Sequence, residues 1–451
     1  MITPPLVTRR RLAVWGAFLA MLIAGPLIFN KGFALSLLCQ IGIMTVFALS
    51  YNMLLGHTGL LSFGHAVYYG LGAFSTVHAL NMHAALPIPV TLLPLVGGVA
   101  GLALGVIFGY VSTKKAGTTF SMISLGIGEM VAAMSLMFPA FFGGEGGISG
   151  NRVTGAGLFG ITYGPQRQMY YLIAGWGFLS VLAMYALSET PLGRMANAVR
   201  DNPERSQFVG YNPQRVRFLM LVLSGFFAGV AGGLAALNYE IVTAETLSAH
   251  TSGAVILMAV VGGVGQYYGP IIGAALITVL QIAVSSVTQA WMLYFGLFFV
   301  GMVLYVPGGI ASIIVRHERV WSAGLLRRLV PTYLLATVPA LVMTAGVVAM
   351  VEMAYAIVDS IGYTTMRLFG VLLNPKGLGP WAGAVLALVV SALLLRLAAR
   401  AIGARWQDIN TELLTREKSH GDDAGAAPVR GVEELRTGVD HQGSESRSTS
   451  G

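Results

Sequence analysis

The polar side chains that interrupt the apolar parts of this sequence are few, and their types limit the chemistry open to it. Residues 56–65, GHTGLLSFGH, combine Gly56, Gly59 and Gly64 with His57, Thr58, Ser62 and His65, and Asn52 lies four residues earlier. Such groups offer weak, replaceable hydrogen bonds, which suit the passage of a small polar solute better than tight binding. His65 has a plainer reading too, as a histidine bonded to a neighbouring helix carbonyl. Glu129, in SLGIGEMV, is the only acid inside another apolar run. Its burial would cost a few kcal/mol unless it is paired, protonated or wet. It therefore either pairs with a neighbouring helix or borders a polar pathway. No nucleophile–base set or metal-ligand cluster stands out, so an enzyme reading has no residues to rest on and no cofactor is expected. A Gly-x-x-x-x-Gly-Lys-Ser/Thr phosphate loop is missing, so ATP would have to be bound by another chain.

Composition says what elements must hold these groups. Of 451 residues, 55% are hydrophobic and 10% charged, against about a quarter charged in soluble domains. No Asp, Glu, Lys or Arg occurs between Gly32 and Thr113, and a soluble core of that length would have to present polar groups to water. The expected fold class is all-α, a polytopic helical membrane protein. Runs able to cross a bilayer fall near 12–29, 33–55, 59–80, 88–111, 118–142, 169–188, 218–238, 270–288 and 291–306. A piece at 253–264 is too short, and is either a half-helix or part of a broken one. Two more runs lie near 330–357 and 380–399. The chain thus reads as a core over 12–320 with roughly ten segments, followed by a two-helix membrane extension over 321–402.

Charge sets the direction. The net charge of +8 gathers in a few loops, which argues for topology control and against a nucleic-acid patch. Arg9–Arg11, Lys114, Lys115, the arginines between Arg194 and Arg217, and those between Arg316 and Arg328 fall on one side. Loop 239–252 has no basic residue, and loop 143–168 has only Arg152 and Arg167. The basic side is read as cytoplasmic, so residues 1–11 and the tail 403–451 are expected there. The tail lacks an apolar period and is expected to be disordered. The apolar run after Arg11 is longer than a signal core and lacks a clear cleavage site, so it is expected to remain as the first helix. Cys39, the single cysteine, offers no disulfide framework.

Glycine patterning adds packing. Gly97, Gly101, Gly105 and Gly109 form one stripe at intervals of four, Gly225, Gly229 and Gly233 another, and Ser62, Ala66 and Gly70 a third. Small faces let helices approach closely in lipid. The irregular glycines at 56–65, and a second set in VVGGVGQYYGPIIG at 260–273, instead favour unwound turns. At membrane depth such turns survive only inside protein or beside water, and paired interruptions point to a transport pathway.

The loop at 189–217 carries its own short helix. Arg200 and Asp201 precede Asn202, a helix cap; Pro203 and Glu204 occupy the first turn, Phe208 is an apolar knob, and Gly210 ends the helix. An ordinary ordered loop and a knob for a cytosolic partner both fit.

These residues resemble a known family. ERSQFVG (204–210) keeps the Glu and Gly positions of the degenerate Glu-Ala-Ala-x-x-x-Gly loop of bacterial ABC importer permeases, with Arg205 and Ser206 replacing the alanines. Its flanks over 191–234, together with SYNMLLGHTGLLSFGHAVYYGLGAF, SLGIGEMV, GGEGGISG and VVGGVGQYYGPIIGAAL, closely resemble the branched-chain amino-acid permeases of LivH/LivM type, more the LivM side. They occur in the family's order over roughly 35–312. Two departures are Ala254, where many relatives carry an acid, and the helices beyond residue 320, where the family normally ends. The resemblance implies a permease subunit in the bacterial inner membrane, paired with a second homologous permease. Two cytosolic ATP-binding subunits would drive it, and a periplasmic substrate-binding protein would deliver the cargo. It implies a translocation path through Asn52, Gly56, Gly59, Ser62, Gly64, His65 and Glu129, and ATPase coupling through Arg200, Asp201, Asn202, Pro203, Glu204, Phe208 and Gly210. Competing readings are a proton-coupled carrier or channel using Glu129 and His65, and the same permease carrying urea, an amide or another amino acid.

Overall fold

Long uncharged runs fold as helices because a backbone out of reach of water must satisfy its own hydrogen bonds. The computed structural model describes residues 9–82, 88–154, 161–359, 366–368 and 370–425, and divides into two units, Met1–Val315 and Arg316–Gly451. The first unit holds α1 (Arg9–Ile28), α2 (Gly32–Thr58), α3 (Ala66–Asn81), α4 (Leu93–Ser112), α5 (Thr118–Met137), α6 (Pro139–Phe142) and α7 (Gln166–Glu189). It continues with α8 (Pro191–Asp201), α9 (Pro203–Phe208), α10 (Pro213–Tyr239), α11 (Ala249–Gly262), α12 (Gly269–Ser285) and α13 (Trp291–Tyr305). Helix α14 (Gly309–Ser322) runs on into the second unit, which also holds α15 (Val330–Asp359) and α16 (Leu378–Gly425). Two small antiparallel pairs complete the chain: β1 (Ile148–Ser149) with β2 (Ile241–Val242), and β3 (Met366–Leu368) with β4 (Val371–Leu373).

Among the described residues, seven helical stretches are long and apolar enough to cross a bilayer: α2, α4 with the turn before it, α5, α7, α10, α15 and α16. The α13–α14 pair, bent by 45° at Val306–Gly308, makes an eighth if counted as one span. The molecule is a polytopic helical membrane protein. Two expected crossings, 59–80 and 270–288, are shorter than the sequence suggests: α3 becomes helix only from Ala66 and has 16 residues, and α12 has 17. The piece at 253–264, expected to be too short, is α11 with 14. At ~1.5 Å per residue none reaches ~30 Å. The stretch 118–142 stops at Met137 because Pro139 cannot continue the helix.

The most buried span is α10, surrounded by α2, α3 and α4. Its glycine stripe packs directly on that of α4. A Cβ on Gly229 would lie 2.1 Å from the Gly97 carbonyl oxygen, and one on Gly101 2.2 Å from that of Gly225. No side chain fits there, so both stripes serve packing. In the third stripe only Ala66 and Gly70 are helical, and Gly70 faces Leu247 of the 244–247 turn.

In the second unit α15 and α16 pack along each other. The last helix runs to Gly425, well past residue 403 where the tail was expected to lose structure; residues 1–8 and 426–451 lie outside the described residues.

Candidate functional site

Helix α2 ends where its glycines begin. Gly59 adopts φ +70°, its N–H donates to the Leu55 carbonyl (3.0 Å) and the Leu60 N–H to that of Leu54 (3.4 Å), a left-handed cap that suits glycine. The chain then runs without helix to His65. Its free backbone groups are met by α5: the Ser121 hydroxyl donates to the Leu61 carbonyl (2.7 Å), and the Phe63 N–H donates to Ser124 Oγ (3.1 Å). Ser252 of α11 accepts the Ala66 N–H at 3.0 Å. Gly64 lies so close to α5 that a Cβ would stand 2.1 Å from the Ser124 carbonyl. Leu60, Ser62, Gly64 and His65 of the break are thus buried in protein, while Gly59 and Phe63 stay exposed.

The second glycine-rich stretch meets the first. α11 and α12 fold back on each other through Gly263 (φ +114°), and a Cβ on Gly56 would lie 3.0 Å from the Val264 carbonyl. Two interruptions far apart in sequence therefore share one location.

Two buried acceptors sit at this junction without partners. The Ser50 hydroxyl donates to the Phe47 carbonyl (2.7 Å), so His65 Nε2, 3.1 Å from Ser50 Oγ, acts as donor to it. That leaves His65 Nδ1 unpaired, and Asn52 Oδ1 is likewise unpaired. His65 is therefore held by a serine hydroxyl, not by a helix carbonyl. Its ring is fully buried, stacked on Phe47 at 5.6 Å and edge-on to Tyr51 and Tyr68.

Phe47 also lines a cavity of about 370 Å³. Phe47 and Tyr69, whose rings are 4.5 Å apart, line it beside Met44, Ala254 and Met258, with polar groups from Gln40, Glu245 and His250. The sequence had flagged position 254 for lacking an acid; here Ala254 leaves Glu245 as the acid on the cavity wall.

At the other end of α2 the 189–217 loop takes hold. The Arg200 guanidinium donates through Nη1 to the Gly56 carbonyl, and its side chain covers Gly59, where a Cβ would be 3.1 Å from Arg200 Cγ. A second donor, Nε, binds Asp201 at 3.0 Å. Asn202 caps α9 by accepting the Arg205 N–H (2.9 Å), with Pro203 and Glu204 in the first turn. Gly210 (φ +90°) turns the chain out, and Asn212 caps α10. Phe208 is 90% exposed.

Six of the expected path residues, Asn52, Gly56, Gly59, Ser62, Gly64 and His65, therefore come together. Glu129 does not join them. It lies on the outward face of α5 among Met122, Leu125 and Met130, whereas neighbouring Gly128 packs on Gly64. One buried cation was missed in the sequence: Arg152 donates to the carbonyls of Leu237, Asn238, Tyr163 and Gly164 and thereby closes the end of α10. Each of the two central helices, α2 and α10, ends on an arginine. Among the described residues no group of three or more His, Cys, Asp or Glu could hold a metal ion.

Comparison with known proteins places the first unit. The profile of the branched-chain amino acid transport system permease component matches residues 33–307. The high-affinity branched-chain amino acid transport system permease protein LivM of Salmonella typhimurium is 28% identical over 315 residues, 65% of this chain and 73% of the relative. The probable branched-chain amino acid transport permease LivM of Methanocaldococcus jannaschii is 22% identical over 321 residues, 61% of this chain and 92% of that one. A ribose import permease, RbsC of Haemophilus influenzae, is 30% identical over 115 residues, 23% of this chain and 34% of its own. No solved structure matches the chain significantly.

Proposed function

The chain belongs to the family of branched-chain amino acid transport permease components, and on that premise we propose that it is the membrane-spanning subunit of an ATP-driven importer in a bacterial inner membrane. The observation that carries this reading is the hold of Arg200 on Gly56. A loop displaying a capped helix and an exposed Phe208 is joined by one side chain to the break in α2. Of two cytosolic ATP-binding subunits one docks on α9, and movement of the loop is passed through Arg200 to residues 56–65. The cavity over Phe47 receives cargo from a periplasmic binding protein. The aromatic contact of Phe47, Tyr69 and His65 is the closed gate beneath it. His65 Nδ1 in the gate and Asn52 Oδ1, both unpaired acceptors, suit the ammonium group of a passing amino acid. Both termini lie on the cytoplasmic side, by the excess of arginine there.

A second permease covers the outer face of α5. Glu129 stands exposed there within a span, and charged groups in a bilayer are costly unless they face protein or water. A proton-coupled carrier using Glu129 and His65 fits less well, because the two side chains face opposite sides of the α5 contact.

Leucine, isoleucine and valine are the proposed cargo. The test is their uptake, with urea alongside, in cells with and without this chain, with a protonophore added while ATP is maintained. Branched-chain uptake that depends on the chain and survives the protonophore is expected. Uptake abolished by the protonophore alone would return the carrier reading, and loss of urea uptake instead would replace the cargo.

A further inference from the structure

Residues beyond Arg316 lie outside the family match, and they concentrate positive charge at one level of the second unit. α15 begins at Val330, separated by one residue from the pair Arg327 and Arg328, and α16 leaves its apolar stretch at Arg396 and Arg400, ~27–33 Å of helix after Leu378. The two helices pack along each other with these ends together. The Trp406 indole donates to Tyr333 Oη (3.0 Å), Tyr333 Oη lies 2.9 Å from His317 Nε2, and Arg328 pairs with Glu412 at 2.7 Å. The same contacts bring Arg316 over the Trp406 ring at 6.0 Å.

Arg316, Arg319, Arg327, Arg396, Arg400 and Arg405 are all exposed, and among the described residues none of these six is ion-paired. The acids nearby are Glu318, Asp408 and Glu412, and the last is committed to Arg328. Trp321, 72% exposed, stands among the arginines, and tryptophan favours the bilayer surface. Topology alone asks only for an excess of basic residues on one side. It does not ask for unpaired arginines held in register by a Tyr–His–Trp cluster at the level where two spans enter the bilayer.

We propose that this collar binds the phosphate headgroups of anionic phospholipids and anchors the C-terminal helices to the lipid surface. Charge complementarity carries the assignment, since basic clusters beside a span attract anionic lipid. It rests on α15 and α16 crossing the membrane, not on the transport reading.

The full chain, purified in detergent, would be titrated with dioleoyl phosphatidylglycerol or dioleoyl phosphatidylcholine and the retained lipid measured by native mass spectrometry. A preference of at least about fivefold for phosphatidylglycerol is expected. It should weaken as salt rises and be lost on combined Arg319→Gln, Arg327→Gln and Arg400→Gln substitution, which removes exposed, unpaired groups. Equal retention of the two lipids, or a preference that survives both salt and substitution, overturns the proposal. Displacement of phosphatidylglycerol by inorganic phosphate at equal headgroup concentration would assign the collar to a soluble anion and overturn it equally.

Discussion

The guanidinium of Arg200 binds the carbonyl of Gly56, joining the 189–217 loop to the last turn of α2. The final carbonyls of a helix have no partners within it, and a cation at that end is favoured by the helix dipole as well. Gly59 lets the arginine lie flat across the cap, since any larger residue would meet its Cγ at 3.1 Å. The contact is replaceable, because the side chain remains 38% exposed and water can take over its bonds. A bond of that kind can be made and released in a transport cycle.

Gly64 and Gly126 make a matched pair of tests. A Cβ on Gly64 would stand 2.1 Å from a backbone oxygen of α5, whereas one on Gly126 meets nothing. Gly64→Ala should lower the melting temperature of the detergent-solubilised chain and its amount in the membrane, by the ~1–3 kcal/mol typical of overpacking. Gly126→Ala, in the interior of α5, should lower neither and raise stability slightly, by up to ~1 kcal/mol. Equal behaviour of the two would mean that the break does not pack on α5 as described.

Asn52 offers the opposite pattern. Its Oδ1 is buried without a donor, and an unsatisfied buried acceptor costs ~1–3 kcal/mol. Asn52→Ala should therefore keep or raise thermal stability while uptake of branched-chain amino acids falls. A variant that loses stability and uptake together would show that the amide supports the fold, not the path.

Gly210 holds φ +90° with open space around it, so only backbone strain opposes a side chain there. A valine at positive φ is an outlier, and Gly210→Val should shift the stop of α9 and misdirect Phe208. On the proposed function, ATP hydrolysis by the assembled importer continues while uptake drops about tenfold, a coupling loss near 1.4 kcal/mol. Uptake within twofold of the parent chain, checked in the same vesicles, would remove α9 from the docking surface.

Much of this was legible in the sequence where the physics is local. Asn202, Gly210 and Asn212 act on residues two to four positions away, so their types announce the start and stop of α9 and the start of α10. The glycines at 56–65 likewise predict an unwound turn from backbone freedom alone. What stayed hidden depends on distant partners. Arg152 reads as a loop cation until Leu237 and Asn238 are brought beside it by the fold. The cavity takes most of its lining from residues 239–258, but α2, α3 and α12 must be brought against that stretch before it has walls. Glu129 sits in a helix that packs mainly with its small and polar residues, Ser121, Ser124 and Gly128, and turns Met122, Leu125 and Met130 outward, so a rule that polar groups face inward misplaces it. The helix beyond residue 403 was missed because charge-rich composition resembles a tail, although Trp406 and Ile409 pack on the 320–333 segment and hold it helical.

The most direct measurement is the number of ATP molecules hydrolysed per leucine moved, in vesicles holding the assembled importer, for the parent chain, Arg200→Ala and Arg200→Lys. Hydrogen bonds to charged groups are worth ~1.5–3 kcal/mol, so Arg200→Ala should raise the ratio about tenfold or more. Lysine, able to make one of the bonds without the planar fork, should restore part of the coupling. A ratio unchanged in Arg200→Ala, with the variant present at normal levels, would contradict the claim that the loop works the path through this residue.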